Sequence, residues 1–219
     1  MVKAKHNTNF YFIMAFFLSL ILFVSGISIG FLLDNLKAQD INSNLQEIEE
    51  SLKEAETELL LMDYFEGNFS CDYLMFKSAD LGERAQTIGE NVVLFEASNQ
   101  VNLETYISLK KEYMRILLNN WLTLENIKES CNANYSTILY FYNNNECPDC
   151  ENQGYVLSYY KNLMKENLMI FSLDAGLNMS SIDLLKYNYN ITTYPALVVD
   201  GEVYEGFLDS TSLGQILFE

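Results

Sequence analysis

Residues 136–150 read STILYFYNNNECPDC and join a strand pattern to a closely spaced cysteine pair. The β-branched and aromatic run at 136–142 predicts a buried strand, and the asparagines after it predict a loop. Cys147 and Cys150 would then open a helix, whose unpaired N–H groups stabilise a thiolate. Pro148 suits a first helical turn because its missing N–H has no partner there. We therefore expect Cys147 to attack or be attacked and Cys150 to resolve the mixed disulfide.

After Cys150 the sequence pattern predicts further helices and strands up to residue 219. Asp200 and Gly201 suit a two-residue type I′ turn because both tolerate positive φ. The pattern predicts a βαβαββα order for residues 133–219. Helices are expected at 151–165, at 180–189 and from Asp209, and the later strands at 168–173, 196–199 and 202–207.

Thr193-Tyr194-Pro195 stands directly before the predicted hairpin. A strand, CPDC, a helix and this distant proline together resemble the thioredoxin and glutaredoxin superfamily over roughly residues 136–219. The resemblance implies a thioredoxin-like α/β domain in which Pro195 is a cis-proline facing the cysteines and Tyr194 and Pro148 border a substrate groove. It also implies thiol–disulfide exchange with protein substrates and no cofactor. The sequence departs from thioredoxins in having Glu146, and no tryptophan, before Cys147.

Other interpretations of CPDC are a zinc half-site, a structural disulfide and a redox-inactive thioredoxin fold used as a binding scaffold. A zinc site needs two more ligands, and only Cys71 and Cys131 could readily supply them, because His6 is the sole histidine and lies in the N-terminal segment. We therefore expect no metal. A single histidine also argues against imidazole-based catalysis.

Residues 10–33 contain no charged side chain and are long enough to span a bilayer as a helix. Lys3 and Lys5 precede this segment, which predicts a cytoplasmic N-terminus at residues 1–9 and an extracytoplasmic remainder. A cleaved signal peptide is the alternative, but its apolar region would be shorter and a small-residue cleavage site would follow. The expected location is the cell membrane, with a single pass.

Residues 34–132 are predicted to be helical, first as a stalk and then as an antiparallel hairpin that turns near residues 98–100. Apolar residues at 41–62 recur every 3.5 positions, which is typical of a coiled coil or of one bundle helix. Cys71 and Cys131 lie at nearly equal distances from the hairpin turn. Equal helical arms predict a disulfide at the base. The alternative is a second redox pair that exchanges with CPDC.

The net charge and short motifs limit which partners and modifications we expect. The net charge of −17 argues against nucleic acid. Gly26 and Gly30 form a G-x-x-x-G motif that permits the close helix approach a homodimer through the membrane helix would need. Four N-x-S/T sequons, which a chain rich in asparagine also produces by chance, mark candidate glycosylation sites at Asn68, Asn134, Asn178 and Asn190.

The cysteine pair has acidic neighbours, Glu146, Asp149 and Glu151, and no basic residue close in sequence. Negative neighbours disfavour a thiolate, unless a distant lysine such as Lys161 folds close. Strong oxidants owe their power to a stabilised reduced form, so this site is expected to be nearer a reductase or isomerase. The sequence predicts a membrane-anchored protein thiol–disulfide oxidoreductase. A redox partner, which the sequence does not identify, would recycle the cysteine pair.

Overall fold

The structure, a computed structural model, describes residues 12, 14–30, 70–97, 103–144 and 147–218, with a few positions between 53 and 61. It divides into two compact units, Met1–Glu50 and Ser51–Glu219. In the first unit residues 14–30 form a helix, α1. Within the described part of the chain, no helix is both long and apolar enough to span a bilayer. The ends of the predicted segment 10–33, and most of the apolar seam at 41–62, lie outside the described residues.

Two long helices form a hairpin, α2 (Cys71–Ala97) and α3 (Leu103–Cys131). The Cys71–Cys131 disulfide joins the first residue of α2 to the last residue of α3, so the helices run antiparallel. Buried residues at a spacing of seven on α2 pack against apolar residues of α3. Examples from the two helices are Leu74, Leu81, Ile88, Met114 and Leu117.

The second half of the same unit is a four-stranded sheet with the strand order β2-β1-β3-β4. Strand β1 pairs in parallel with β2 and antiparallel with β3, and β3 pairs antiparallel with β4. The predicted βαβαββα order and thioredoxin-like fold are therefore confirmed. The strands are β1 (Ser136–Tyr142), β2 (Leu168–Asp174), β3 (Ala196–Val199) and β4 (Glu202–Glu205). The helices are α4 (Cys150–Met164), α5 (Ser180–Asn188) and α6 (Ser210–Phe218), with a short 3-10 helix at Lys165–Asn167.

The core lies where β1 and β3 meet α4 and α6. Ile138 and Leu197 from the strands pack with Leu157 of α4 and Leu213 of α6, and all four are at most 3% exposed. The five central residues of β1 are buried on both faces of the sheet, which accounts for their continuous apolar pattern. Strand β1 therefore gives the chain a rigid start for the loop that leads to Cys147.

Helix α3 packs along the sheet and contacts it near the start of β1 and near the end of β2. Near the start of β1, Thr137 donates from Oγ1 to Glu125 at 2.6 Å, and Lys128 pairs with Asp200. Near the end of β2, the backbone N–H of Asp174 donates to the sulfur of Met114 at 3.4 Å. The hairpin is thus packed on the thioredoxin-like domain rather than standing apart from it as a free stalk.

The β3–β4 connection has the predicted turn chemistry. Asp200 and Gly201 have φ values of 47° and 93°, as a type I′ turn requires. The strand predicted at 202–207 is shorter than expected and ends at Glu205. Gly206 adopts a φ of 86°, which takes the backbone out of the extended region.

Candidate active site

Cys147 and Cys150 form a disulfide at the start of α4, with their Cα atoms 5.4 Å apart. Cys150 is the first helical residue and is 9% exposed, whereas Cys147 is only partly buried. The carbonyl of Asp149 accepts the N–H of Gln153 at 3.0 Å, which closes the first turn beneath the pair. A substrate therefore reaches Cys147 more readily than Cys150, and the first-turn N–H groups lie where they stabilise negative charge.

Buried hydrogen bonds fix the first turn of α4. The hydroxyl of Tyr140, on β1, donates to the carbonyl of Cys150 at 2.7 Å. Burial raises the pKa of the Tyr140 hydroxyl, so it stays a neutral donor. Gln153 is fully buried and pairs with the backbone of Leu208, accepting its N–H at 2.8 Å and donating to its carbonyl at 3.3 Å. The backbone beneath the cysteines is thus held from two sides.

The Tyr194–Pro195 peptide bond is cis. Ala196 pairs with Phe141, so Pro195 lies beside the end of β1 from which the chain leaves towards Cys147. Tyr194 and Cys147 also pack against the same apolar cluster. The structure thus brings the proline and the cysteine pair to one edge of the sheet.

Glu205, at the end of β4, holds the loop before the cis bond. Its carboxylate accepts the backbone N–H groups of Thr192 and Thr193, the latter at 3.0 Å, and the hydroxyl of Thr192 at 3.1 Å. These backbone hydrogen bonds lower the pKa of Glu205. No sequence pattern predicts this role of Glu205, because the interaction joins residues on either side of the β3–β4 hairpin.

A buried ion pair joins the helical hairpin to the sheet edge at the site. The ammonium of Lys110, on α3, lies 2.7 Å from a carboxylate oxygen of Asp174, and the side chains are 3% and 7% exposed. The ammonium is also 5.6 Å from the ring centres of Tyr106 and Tyr142. Burial opposes the charge on Lys110, but Tyr142 and the hydrogen bond to Asp174 outweigh it and hold its pKa above the usual value. Because Tyr142 pairs with Asp174 across β1 and β2, the cation lies at the strand ends next to residues 147–149, called the redox loop below.

A groove of about 1180 Å³ lies in front of the cysteine pair. One side is formed by Cys147 and Pro148 of the redox loop and Glu151 of α4, together with Tyr140 and Tyr142 of β1. The other side belongs to the hairpin and was not anticipated from the sequence. Its residues include Gln86, Gly89, Glu90 and Val93 of α2 and Lys110 and Tyr113 of α3.

Asp149 and Glu151 are exposed at the start of α4, and Glu146 lies outside the described residues. The hydroxyl of Tyr155 donates to Glu151 at 3.0 Å. Lys161 does not offset these acids, because it donates to the carbonyl of Leu168 at 2.7 Å, about 16 Å along α4 from Cys150. Within the described parts of the groove lining, Lys110 is the one cation.

The disulfide between Cys71 and Cys131 has a Cα–Cα distance of 5.7 Å. Cys131 ends the helix before β1, whereas Cys147 follows β1, and the strand is about 20 Å long. Thiol–disulfide exchange requires direct contact between sulfurs. The arrangement therefore disfavours direct exchange between the two cysteine pairs and favours a structural role for Cys71–Cys131.

Of the four predicted glycosylation sites, the three that the structure describes do not line the groove. Asn134, Asn178 and Asn190 are exposed, and Asn68 lies outside the described residues. Modification at these sites stays a prediction. Across the described residues, no group of three or more histidine, cysteine or acidic side chains is arranged to hold a metal ion.

No protein-family model matches the chain, and no curated protein matches it. Solved structures do. Chloroplastic thioredoxin z is 17% identical, with a TM-score of 0.35 over 43% of this chain and 84% of the other. A thioredoxin-like protein from Clostridium perfringens is 25% identical, with a TM-score of 0.34 over 41% of this chain and 73% of the other. A malarial protein is 16% identical, with a TM-score of 0.33 over 38% of this chain and 93% of the other.

Proposed function

We propose that this chain is a membrane-anchored, extracytoplasmic protein thiol–disulfide oxidoreductase. The observation that carries the proposal is the Cys147–Cys150 disulfide at the first turn of α4, on the same sheet edge as the cis Tyr194–Pro195 bond. A partly exposed sulfur paired with a buried one is the arrangement that exchange with a protein substrate requires.

In the reducing direction, the Cys147 thiolate attacks one sulfur of a substrate disulfide. A Cys147–substrate bond forms, the substrate S–S bond breaks, and the leaving sulfur takes up a proton. The Cys150 thiolate then attacks the Cys147 sulfur, which forms the Cys147–Cys150 disulfide and releases the second substrate thiol. Two electrons and two protons pass to the substrate. The same steps in reverse oxidise a substrate dithiol.

The acidic surroundings favour the reducing or isomerising direction. Asp149 lies between the two cysteines and Glu151 follows them, and the Lys110 charge is matched by the buried Asp174 carboxylate. A thiolate at Cys147 therefore gains little from neighbouring side chains and depends on the helix start. The reduced form is then less stabilised than in a strong oxidant, and an extracytoplasmic dithiol partner would restore it.

Anchoring through residues 10–33 and an extracytoplasmic position are part of the proposal. The uncharged segment after Lys3 and Lys5 supports them, as does the pairing of all four cysteines in disulfides, which persist in oxidising compartments. Protease added to intact cells or right-side-out vesicles should cleave the C-terminal domain. Protection of that domain until the membrane is opened would contradict this topology.

Turnover of a protein disulfide separates this proposal from its alternative, a redox-inactive scaffold with the same fold and anchor. The full-length chain, supplied with an excess of dithiol, should reduce substrate disulfides repeatedly. The variant Cys147→Ser should not. Equal rates for the two proteins would favour the scaffold.

A further inference from the structure

One face of α2 borders the redox groove. Gln86, Gly89, Glu90 and Val93 follow the i, i+3, i+4, i+7 spacing of a single helical face, and all four line the groove. Ile88, which is 2% exposed, packs into the hairpin, and Gly89 lies so close to Tyr113 of α3 that an added Cβ would be 3.2 Å from its ring. Gln86, Glu90 and Val93 are exposed and are therefore left available for a ligand.

The groove is large for a small molecule. Its volume of about 1180 Å³ exceeds the roughly 300–1000 Å³ of typical small-ligand pockets. Val93 of α2 and Pro148 beside Cys147 both line it and are exposed. These dimensions suit a stretch of polypeptide that passes between α2 and the redox loop.

The charges on the two sides have the same sign. Glu90 on α2 and Glu151 on α4 both line the groove and are exposed. Both carboxylates accept hydrogen bonds from neutral side chains, with Gln86 donating to Glu90 at 3.1 Å and Tyr155 to Glu151 at 3.0 Å. Lys110 also lines the groove, but Asp174 matches its charge at 2.7 Å. The space in front of Cys147 is therefore negative.

We propose that α2 is a specificity wall that selects polypeptide segments carrying lysine or arginine beside the reacting cysteine. This inference rests on the proposed oxidoreductase function and adds the class of substrate. Glu90 on α2 and Glu151 on α4 attract the cationic side chain while the substrate sulfur approaches Cys147. Segments with acidic neighbours are repelled by the same two carboxylates.

The test uses the full-length chain, reduced at Cys147 and Cys150, and two short disulfide-containing peptides that differ only in lysine or glutamate beside the cysteine. At low salt the lysine peptide should react roughly tenfold faster, and the preference should shrink in 1 M salt, where the Debye length is about 3 Å. Glu90→Gln should reduce the preference, and Glu90→Lys should reduce it further or invert it. The control Glu129→Lys makes the same charge change on an exposed residue near the far end of α3 and should leave the preference intact.

A small neutral disulfide, bis(2-hydroxyethyl) disulfide, separates the two proposals. If reduced wild-type protein fails to react with it and with both peptides, the oxidoreductase function itself is wrong. If it reacts with the small disulfide but does not distinguish the peptides, or if Glu129→Lys shifts the preference as much as Glu90→Lys, the specificity wall is wrong. Val93→Trp narrows the groove and should slow both peptides several-fold without slowing the small disulfide. Equal effects on all three substrates would also overturn the proposal.

Discussion

The Cys71–Cys131 and Cys147–Cys150 disulfides lie at opposite ends of β1, the first five residues before Ser136 and the second five residues after Tyr142. The first joins cysteines 60 positions apart at the ends of two long helices, and the second joins cysteines three positions apart within one turn. A chain-entropy model assigns about 4 kcal/mol of stabilisation to the long loop and about 2 kcal/mol to the short one. Opening the short bond therefore costs less stability.

Helix-terminus charge alone does not distinguish the two bonds. Cys71 begins α2, just as Cys150 begins α4. Cys71 is partly buried, as Cys147 is. What differs is the surroundings. Cys147 opens onto a groove and lies at the sheet edge that also carries Pro195, whereas Cys131 ends α3 at the base of the hairpin. Reactivity is thus expected where a substrate can be held against the sulfur, and not at every cysteine near a helix start.

The largest expected effect comes from the cysteines of CPDC. Cys147→Ser should lower the rate of disulfide turnover by at least roughly 10³-fold, because Cys150, the other cysteine at the groove, is buried and only 9% exposed. Cys150→Ala should leave a mixed disulfide between Cys147 and the substrate that persists on a non-reducing gel. A comparable loss in a Cys71→Ser, Cys131→Ser variant of unchanged fold would remove the distinction between the two bonds.

The Lys110–Asp174 pair should dominate the attachment of the hairpin to the redox end of the sheet. Lys110→Met leaves a buried carboxylate without its cation and should lower the free energy of unfolding by about 3–5 kcal/mol. Asp174→Asn added to that variant should recover much of the loss, since the amide still accepts the N–H of Gly176, now at 2.8 Å. Denaturant unfolding of the single and double variants measures this. No recovery in the double variant would contradict the ion-pair account.

Removing the hairpin disulfide should affect stability and not chemistry. Cys71→Ser with Cys131→Ser should lower the free energy of unfolding by up to roughly 4 kcal/mol, with an unchanged reduction potential at Cys147–Cys150. Denaturant unfolding and a glutathione redox titration measure the two quantities separately. A shifted potential would show that the two bonds communicate through the hairpin.

The smallest expected effect comes from the acids beside Cys147. Glu146→Gln with Asp149→Asn should move the thiolate absorbance titration of Cys147 to lower pH and make the couple more oxidising. The shift should be a few tenths of a pH unit, because Asp149 is exposed and salt screens it. Glu129→Gln, far along α3, is the matched control. A midpoint that does not move would show that the helix start, and not these acids, controls the site.

Local sequence determined the order of the elements and the position of the reactive pair. A buried strand, CPDC and an Asp200-Gly201 turn each follow from neighbouring residues, because strand pattern, helix entry and positive φ are local properties. The place of Pro195 came from the family resemblance, and the structure has a cis bond there. The end of β4 was misplaced because Gly206 took a left-handed conformation that its neighbours do not dictate.

Tertiary structure alone decided what surrounds the pair. Lys110 meets Asp174 across 64 positions of chain, and Glu205 reaches back over a hairpin to Thr192 and Thr193. The face of α2 that borders the groove is set by how the hairpin packs on the sheet. No periodicity marks such contacts, because each depends on the packing of whole elements and not on the spacing of residues within one. The sequence thus determined which sulfurs are poised to react, and the packing of α2 and α3 decided what can approach them.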